Sequence, residues 1–207
     1  MVRVITIGRE YGSGGGTIAK AVAGRLGWKV VDDPLVAEIA RSRKPTRKVL
    51  ERYEETVDPW THRILKALWR GGFEGAASRV EEEAFDADAI AALWHEVILQ
   101  AAEIGQCVTI GRGGQCLLQH RTDAFHVYVY APMSDRIERL RDREPPGTDL
   151  AAAARERDRR RAAYIHHYFG QVWTNPHLYH LMLCSRIGVE RATSAIISGA
   201  GLSGESG

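Results

Sequence analysis

Cysteine is scarce in this chain and is not arranged for metal binding. The three cysteines, Cys107, Cys116 and Cys184, form no C-x-x-C motif and no Cys/His cluster. Such a scattered, odd-numbered set argues against a disulfide-stapled secreted domain and against a zinc site. We therefore interpret the cysteines as reduced, small apolar residues of a cytosolic protein.

Long hydrophobic runs and a strong charge of either sign are also missing. No apolar run approaches the ~20 residues needed to cross a bilayer, and no signal-peptide pattern precedes the first strand. A formal net charge of +2 on 207 residues does not indicate a nucleic-acid or membrane partner. We expect a cytoplasmic protein, with neither a nucleic acid polymer nor a membrane as its partner.

Glycine, in contrast, is concentrated near the start of the chain. Residues 2–26 have the pattern of a short apolar strand, a glycine-rich turn and an amphipathic helix. Glycines let backbone N–H groups converge on an anion, and the following helix directs its positive dipole end to the same point. The alternative is a tight turn without a ligand. We favour a phosphate-binding loop, formed by Gly12, Ser13, Gly14, Gly15, Gly16 and Thr17.

This glycine loop resembles the G-S-G-K-G-T version of the P-loop pattern that is found in small nucleoside monophosphate kinases, with two departures. Arg9 stands where the pattern has its first glycine, and Gly15 stands where it has the phosphate-binding lysine. The loop geometry is retained, but its main positive charge is lost. We hypothesise that Arg9, or a later arginine such as Arg157 or Arg161, supplies that charge.

The rest of the chain alternates predicted strands and helices. This order predicts an α/β fold, with a parallel five-stranded sheet flanked by helices. Within it we predict a single domain over residues 1–198, a helical insertion at about 34–87, a lid at about 142–168 and a flexible tail over 199–207. The later strands are predicted at 28–31, 107–110, 125–130 and 177–184, and the later helices at 35–40, 88–105, 134–140, 149–168 and 187–198.

Polar residues follow three of the predicted strands. Asp33 either caps the next helix or contacts a substrate. Arg112 lies in the glycine turn 111–114, where an arginine can bind phosphate through two parallel hydrogen bonds. Its alternative role is a salt bridge across the sheet edge, and we favour phosphate binding. Ser134 is predicted to cap the helix at 134–140.

Four segments together resemble the cytidylate kinase-like family of P-loop kinases. They are I-T-I-G-R-E-Y-G-S-G-G from Ile5, G-R-G-G at 111–114, Y-V-Y-A-P-M-S-D-R-I-E-R-L from Tyr128, and D-R-R-R-A-A-Y-I from Asp158. The four are specific jointly, whereas only the first is specific alone. The segment from about 43 to 86 matches no pattern of this family.

The resemblance implies an ATP-dependent phosphoryl transfer to CMP or dCMP, with Mg²⁺ as the metal ion. The glycine loop would bind the donor phosphates, and Thr17 would meet Mg²⁺ directly or through water. The insertion at 34–87 would serve the acceptor side. Nucleotides would be the small-molecule substrates. Catalysis would consist of positioning and charge neutralisation, because phosphoryl transfer needs little covalent help from the protein.

The resemblance also implies roles for residues outside the glycine loop. Arg112 matches the family's arginine that contacts the acceptor phosphate. The next family position is an aspartate that helps to recognise cytosine, and here it is Gly113. Asp158 and Arg161 match the D-x-x-R of the lid, where the arginine binds the phosphoryl group in transit.

Two other functions are compatible with the same residues. A nucleotide-binding module with weak or no catalysis would explain Gly15 and Gly113 as signs of decay. A P-loop kinase for a small non-nucleotide acceptor would explain the segment at 43–86 and the missing aspartate. Fold alone does not distinguish among them.

Overall fold

The computed structural model describes residues 1–32, Leu35 and residues 87–202. The predicted helix at 35–40, the segment 43–86 and Asp33 therefore lie outside the described residues, apart from Leu35 itself. The chain divides into two compact units, one of Met1–Val30 with Gln106–Gly207 and one of Val31–Gly105. The glycine loop at residues 12–17 belongs to the first unit.

Five parallel strands form a single sheet in the order β2-β3-β1-β4-β5. Strand β1 is central, and its Val4 pairs with Cys107 of β3 and with Ala124 of β4. A strand with neighbours on both edges and cover on both faces is largely apolar, and Val4, Ile5 and Ile7 have no exposed surface. The predicted α/β fold is confirmed. The strands are β1 Val4–Arg9, β2 Lys29–Val31, β3 Cys107–Ile110, β4 Ala124–Tyr130 and β5 Leu181–Cys184.

Helices connect the strands, as the alternating pattern predicted. Among the described residues they are α1 Gly15–Leu26, α2 Ala87–Ile104, α3 Gly114–Leu117, α4 Met133–Leu140, α5 Leu150–Phe169 and α6 Val189–Gly199. Two short 3-10 turns lie at Pro176–Leu178 and Ser185–Ile187. None of the helices in the described ranges is both long and apolar enough to span a membrane.

Helices α1 and α6 cover one face of the sheet. Ile18 and Val22 of α1 and Ile196 of α6 are buried in one cluster with residues of β1, β3, β4 and β5. The chain beyond α6 still belongs to this core, since Ala200 is 6% exposed and Leu202 packs against the cluster. Ala200 and Leu202 are thus packed, although the sequence predicted a flexible tail from residue 199. Residues 203–207 lie outside the described residues.

The last predicted strand, 177–184, is shorter than expected. The strand itself is Leu181–Cys184, preceded by a 2.8 Å backbone hydrogen bond from His180 N–H to the His126 carbonyl, and Pro176–Leu178 forms a 3-10 turn. The side chain of Asn175 caps that turn by accepting a hydrogen bond from the His177 N–H at 3.0 Å. An apolar run predicts burial but not extended backbone, and Leu178 is buried in the turn.

Helix capping differs between α4 and α5. Ser134 was predicted to cap α4, and this is wrong: α4 begins after Pro132, and the Ser134 hydroxyl donates to Asp135 Oδ1 at 3.0 Å. Asp149 does cap α5, because its Oδ1 accepts from the Ala152 N–H at 3.0 Å.

We expect Asp149→Ala to lower the free energy of unfolding by about 1 kcal/mol, the usual effect of losing a side-chain cap. Ser134→Ala should leave stability nearly unchanged, because no helix N–H depends on that hydroxyl. Urea denaturation of the two variants measures both values. Equal losses would contradict this assignment of the caps.

Candidate phosphate-binding site

The glycine loop joins the end of β1 to the start of α1. Gly12 and Gly14 have φ values of 79° and 81°, in the left-handed region that residues with a Cβ avoid. Gly14 is the N-cap of α1, so the helix begins at Gly15, two residues before the predicted Thr17. The first N–H groups of a helix have no partner inside it, and here they lie at the carboxyl edge of β1. The loop therefore has the geometry of an anion site.

The two hydroxyl residues of the loop differ in position. Ser13 is fully buried, and its Oγ accepts a hydrogen bond from the Gly15 N–H at 3.4 Å. Thr17 is exposed in the first turn of α1. Its hydroxyl is the kind of oxygen donor that Mg²⁺ takes when nucleotide phosphates and waters supply the other ligands. The described residues hold no cluster of three or more His, Cys, Asp or Glu side chains suited to a metal.

Arg9 lies beside both glycine-rich turns of the sheet edge. A Cβ atom built on Gly15 would lie 2.6 Å from the Cβ of Arg9 and 3.1 Å from its Cγ. A Cβ built on Gly111 would lie 3.1 Å from the Arg9 Cζ. The side chain of Arg9 thus runs over Gly15, and its guanidinium lies against Gly111.

A buried ion-pair network ties the loop to α4 and α5. Arg136 of α4 is 4% exposed, and its Nε donates to the Tyr11 carbonyl at 2.7 Å. Its other nitrogens pair with Asp158 and, at 3.4 Å, with Glu10 Oε2. Asp158 also accepts the Tyr11 N–H at 2.7 Å. We call these four residues, Glu10, Tyr11, Arg136 and Asp158, the Arg136 network.

Further arginines surround the loop. The guanidinium carbons of Arg157 and Arg161 lie 5.4 and 5.5 Å from the centre of the Tyr11 ring, within cation–π range. Arg161 Nη1 also donates to the Arg9 carbonyl at 2.9 Å, and burial lowers the pKa of Arg161. Arg139 Nη1 lies 3.4 Å from the carbonyls of Gly12 and Ser13. The loop is therefore surrounded by positive charge.

Tyr11 is itself held in place from the other side. Its hydroxyl donates a hydrogen bond to Glu144, and that bond is the main reason why the pKa of Tyr11 is raised. The ring thus remains neutral at physiological pH. A fixed neutral ring suits a platform on which two guanidinium groups rest.

The second glycine turn, residues 111–114, lies at the end of β3 beside β1. Arg112 has a φ of 55°, which is unusual for a residue with a side chain and is typical of functional sites. Arg112 is exposed. Burial raises the pKa of the nearby Tyr164 to about 12, and the positive charge of Arg112 partly offsets that rise. A Cβ on Gly113 would lie 2.6 Å from Cζ of Phe169. Phe169 therefore fills the space that a side chain at position 113 would take.

The structure brings most of the predicted site residues together. Arg9, the glycine loop, Arg157, Asp158 and Arg161 share one region, as the contacts above show. Arg112 lies on the neighbouring turn, and Asp33 falls outside the described residues. Asp158 is engaged by the loop backbone and by Arg136, which makes it an organiser of the site in this structure.

Sequence reasoning missed Tyr11, Arg136 and Phe169 as parts of the site. An available signal for Arg136 was its place in the first helical turn after strand β4, at the sheet edge that holds the loop. Tyr11 is a large aromatic residue inside a glycine turn, which is itself an unusual choice. Phe169 had no comparable local signal.

Comparison with known proteins agrees with this geometry. A sequence model of the cytidylate kinase-like family matches residues 4–187. The crystal structure of an uncharacterized protein from Eubacterium ventriosum ATCC 27560 aligns with a TM-score of 0.68 at 20% identity, over 97% of this chain and 99% of that chain. No curated protein gives a significant match.

Two shikimate kinases also share the fold. The enzyme from Bacteroides thetaiotaomicron aligns with a TM-score of 0.51 at 14% identity, over 95% of this chain and 97% of that chain. The enzyme from Acinetobacter baumannii, solved in complex with shikimate, aligns with a TM-score of 0.50 at 16% identity, over 96% and 93%. At these identities the likeness concerns the fold alone, which is that of P-loop kinases.

Proposed function

This chain belongs to the cytidylate kinase-like family, and we propose that it transfers the terminal phosphoryl group of ATP to a nucleoside monophosphate, with CMP or dCMP as the favoured acceptor. The observation that carries the proposal is the glycine loop at a helix N-terminus, with Arg139, Arg157 and Arg161 beside it. That arrangement suits a polyphosphate, since backbone N–H groups and guanidinium groups are its best ligands.

The proposed reaction exchanges one P–O bond for another. The bond between the γ-phosphorus of ATP and its bridging oxygen breaks, and the electron pair leaves with ADP. A phosphate oxygen of the acceptor forms the new bond, so the product is a nucleoside diphosphate. Because the attacking oxygen is already anionic, no base has to remove a proton. The protein needs only to align the two phosphates and neutralise their charge.

Each proposed role follows from the position of a residue. The glycine loop binds the donor phosphates, and Thr17 would be the protein ligand for Mg²⁺, which would supply charge neutralisation when bound. Arg112 binds the acceptor phosphate from the neighbouring turn. Arg161 and Arg157 lie on Tyr11 beside the loop, where they can reach the transferred group. Asp158 orients Arg161, whose Nη1 lies 3.5 Å from it.

An acceptor panel tests the proposal. We expect ADP release from Mg·ATP to be stimulated by CMP and dCMP, compared with UMP, AMP, GMP and a control without acceptor. The measurement of ADP release should be paired with direct detection of the nucleoside diphosphate product. If the protein binds ATP but no acceptor stimulates ADP release, the result would contradict the kinase proposal and favour a nucleotide-binding module.

A second candidate is a kinase for a small non-nucleotide acceptor. The observation that favours it is Phe169, which fills the space beside Gly113 where the family's cytosine-linked aspartate would project. Shikimate belongs in the panel, because a fold relative was solved in complex with it. Stimulation by a non-nucleotide acceptor alone would make this candidate the function.

A further inference from the structure

The two departures from the P-loop pattern lie in direct contact. Position 9 carries a side chain where the pattern has glycine, and position 15 carries glycine where the pattern has lysine. The Cβ of Arg9 and a Cβ at position 15 would be only 2.6 Å apart. Non-bonded carbons do not approach so closely, since contact begins at about 3.5 Å. Both Cβ atoms are attached directly to the backbone. The two positions therefore cannot both carry a side chain unless the backbone moves.

We propose that Arg9 binds the donor phosphates in place of the missing lysine, and that the exchange is reciprocal: the side chain at position 9 requires glycine at position 15. This inference rests on the proposed binding of ATP at the glycine loop. The cation enters the site from the last residue of β1 instead of from the first turn of α1. The two designs place a positive charge over the same turn.

The path of the Arg9 side chain supports this role. It leaves β1 with its Cβ and Cγ against Gly15 of the glycine loop, and its guanidinium ends against Gly111, in the turn that carries Arg112. A side chain on Gly111 would overlap the guanidinium. A planar guanidinium with several N–H donors can contact two phosphates at once, which a lysine ammonium does less well. Arg9 is therefore placed to contact donor and acceptor phosphates together.

The other arginines near the loop are less suited to this role. Arg161 donates to the Arg9 carbonyl and lies near Asp158, and Arg157 lies over Tyr11. Both approach the loop from α5, whereas only the Arg9 side chain crosses position 15 among the described residues. Arg161 in fact holds the Arg9 backbone, which fixes the start of that side chain.

The decisive experiment exchanges the two residues. Arg9→Gly with Gly15→Lys rebuilds the P-loop pattern, G-E-Y-G-S-G-K-G-T. We expect Arg9→Gly alone to lose about 100-fold in kcat/KM, the usual scale for one charge-stabilising donor, and to bind Mg·ATP and inorganic tripolyphosphate more weakly. Gly15→Lys alone should lower Tm and lose activity. The double variant should recover Tm and most of the affinity.

Two further variants serve as controls. Arg9→Met keeps the aliphatic part of the side chain and removes only the charge, so it decides the matter if Arg9→Gly fails to fold. Arg160→Ala removes an arginine from α5 that is paired with Glu156 and 69% exposed, and it should leave affinity and activity unchanged.

The outcomes separate this inference from the proposed function. Three results would each overturn it. The first is an Arg9→Met variant with unchanged phosphate affinity, and the second is a Gly15→Lys variant that is stable and active. The third is a folded double variant whose phosphate affinity is no higher than that of Arg9→Gly. A wild-type protein that binds ATP but phosphorylates no acceptor would refute the proposed kinase activity. The affinities of the variants for ATP and tripolyphosphate would still test the role of Arg9. A wild-type protein that binds neither ATP nor tripolyphosphate would refute both.

Discussion

Arg136→Met is expected to lower the free energy of unfolding by about 3 kcal/mol. Removing one partner of a buried ion pair costs about 3–5 kcal/mol, because the remaining charge is left without compensation. We expect the lower end, because Asp158 keeps the hydrogen bond from the Tyr11 N–H. Methionine fills most of the vacated volume, so the loss measures the ion pairs and the bond to the Tyr11 carbonyl.

Arg186→Met is the matched control for this loss of an arginine. Arg186 forms a 2.6 Å ion pair with Asp135, but its side chain is 61% exposed. Exposed pairs contribute about 0–1 kcal/mol. Guanidinium-chloride denaturation of both variants compares a buried pair with an exposed one in the same fold. Similar losses would mean that the Arg136 network does not hold the loop to α4 and α5.

The second large effect is expected for Gly113→Asp, which restores the residue of the family pattern. The φ of 77° at this position costs about 1–2 kcal/mol for a residue with a Cβ. The new side chain also meets the Phe169 ring, and overpacking adds about 1–3 kcal/mol. We therefore expect a loss of about 2–5 kcal/mol in the free energy of unfolding.

Two comparisons separate the backbone cost from the collision. Gly147 has a φ of 86° and open space where a Cβ would lie, so Gly147→Asp measures the backbone cost alone. In a Phe169→Ala background the cost of Gly113→Asp should fall toward that of Gly147→Asp. If the cost is the same with and without the Phe169 ring, Phe169 does not fill the place of the missing side chain. A double-mutant cycle measures this coupling directly.

The site accommodates its two unusual glycines, Gly113 and Gly15, in the same way. Phe169 stands in the place of the family's aspartate, and Arg9 stands over the place of the pattern's lysine. In both cases a side chain from elsewhere in the fold uses space that a glycine leaves open. Both glycines, which the sequence presented as losses, are thus explained by specific neighbours.

The sequence alone determined the parts of this protein that depend on local pattern. The apolar run at the start of β1, the glycine turn and the following amphipathic helix were all visible, because each is encoded by adjacent residues or by helical spacing. The end of α1 is also local, because its C-cap is Gly27, a glycine with a φ of 66°. Repetition of these units was enough to predict the parallel five-stranded sheet, and four segments were enough for the family.

The tertiary structure decided everything that depends on distant partners. Tyr11 and Asp158 meet across 147 positions of sequence, and no periodicity in either segment reports that contact. Whether Ser134 or Asp149 caps a helix depended on where the backbone turned. The contact of Arg9 with position 15 depended on the angle between β1 and α1. Local patterns set which elements form, whereas their packing sets which side chains share a site.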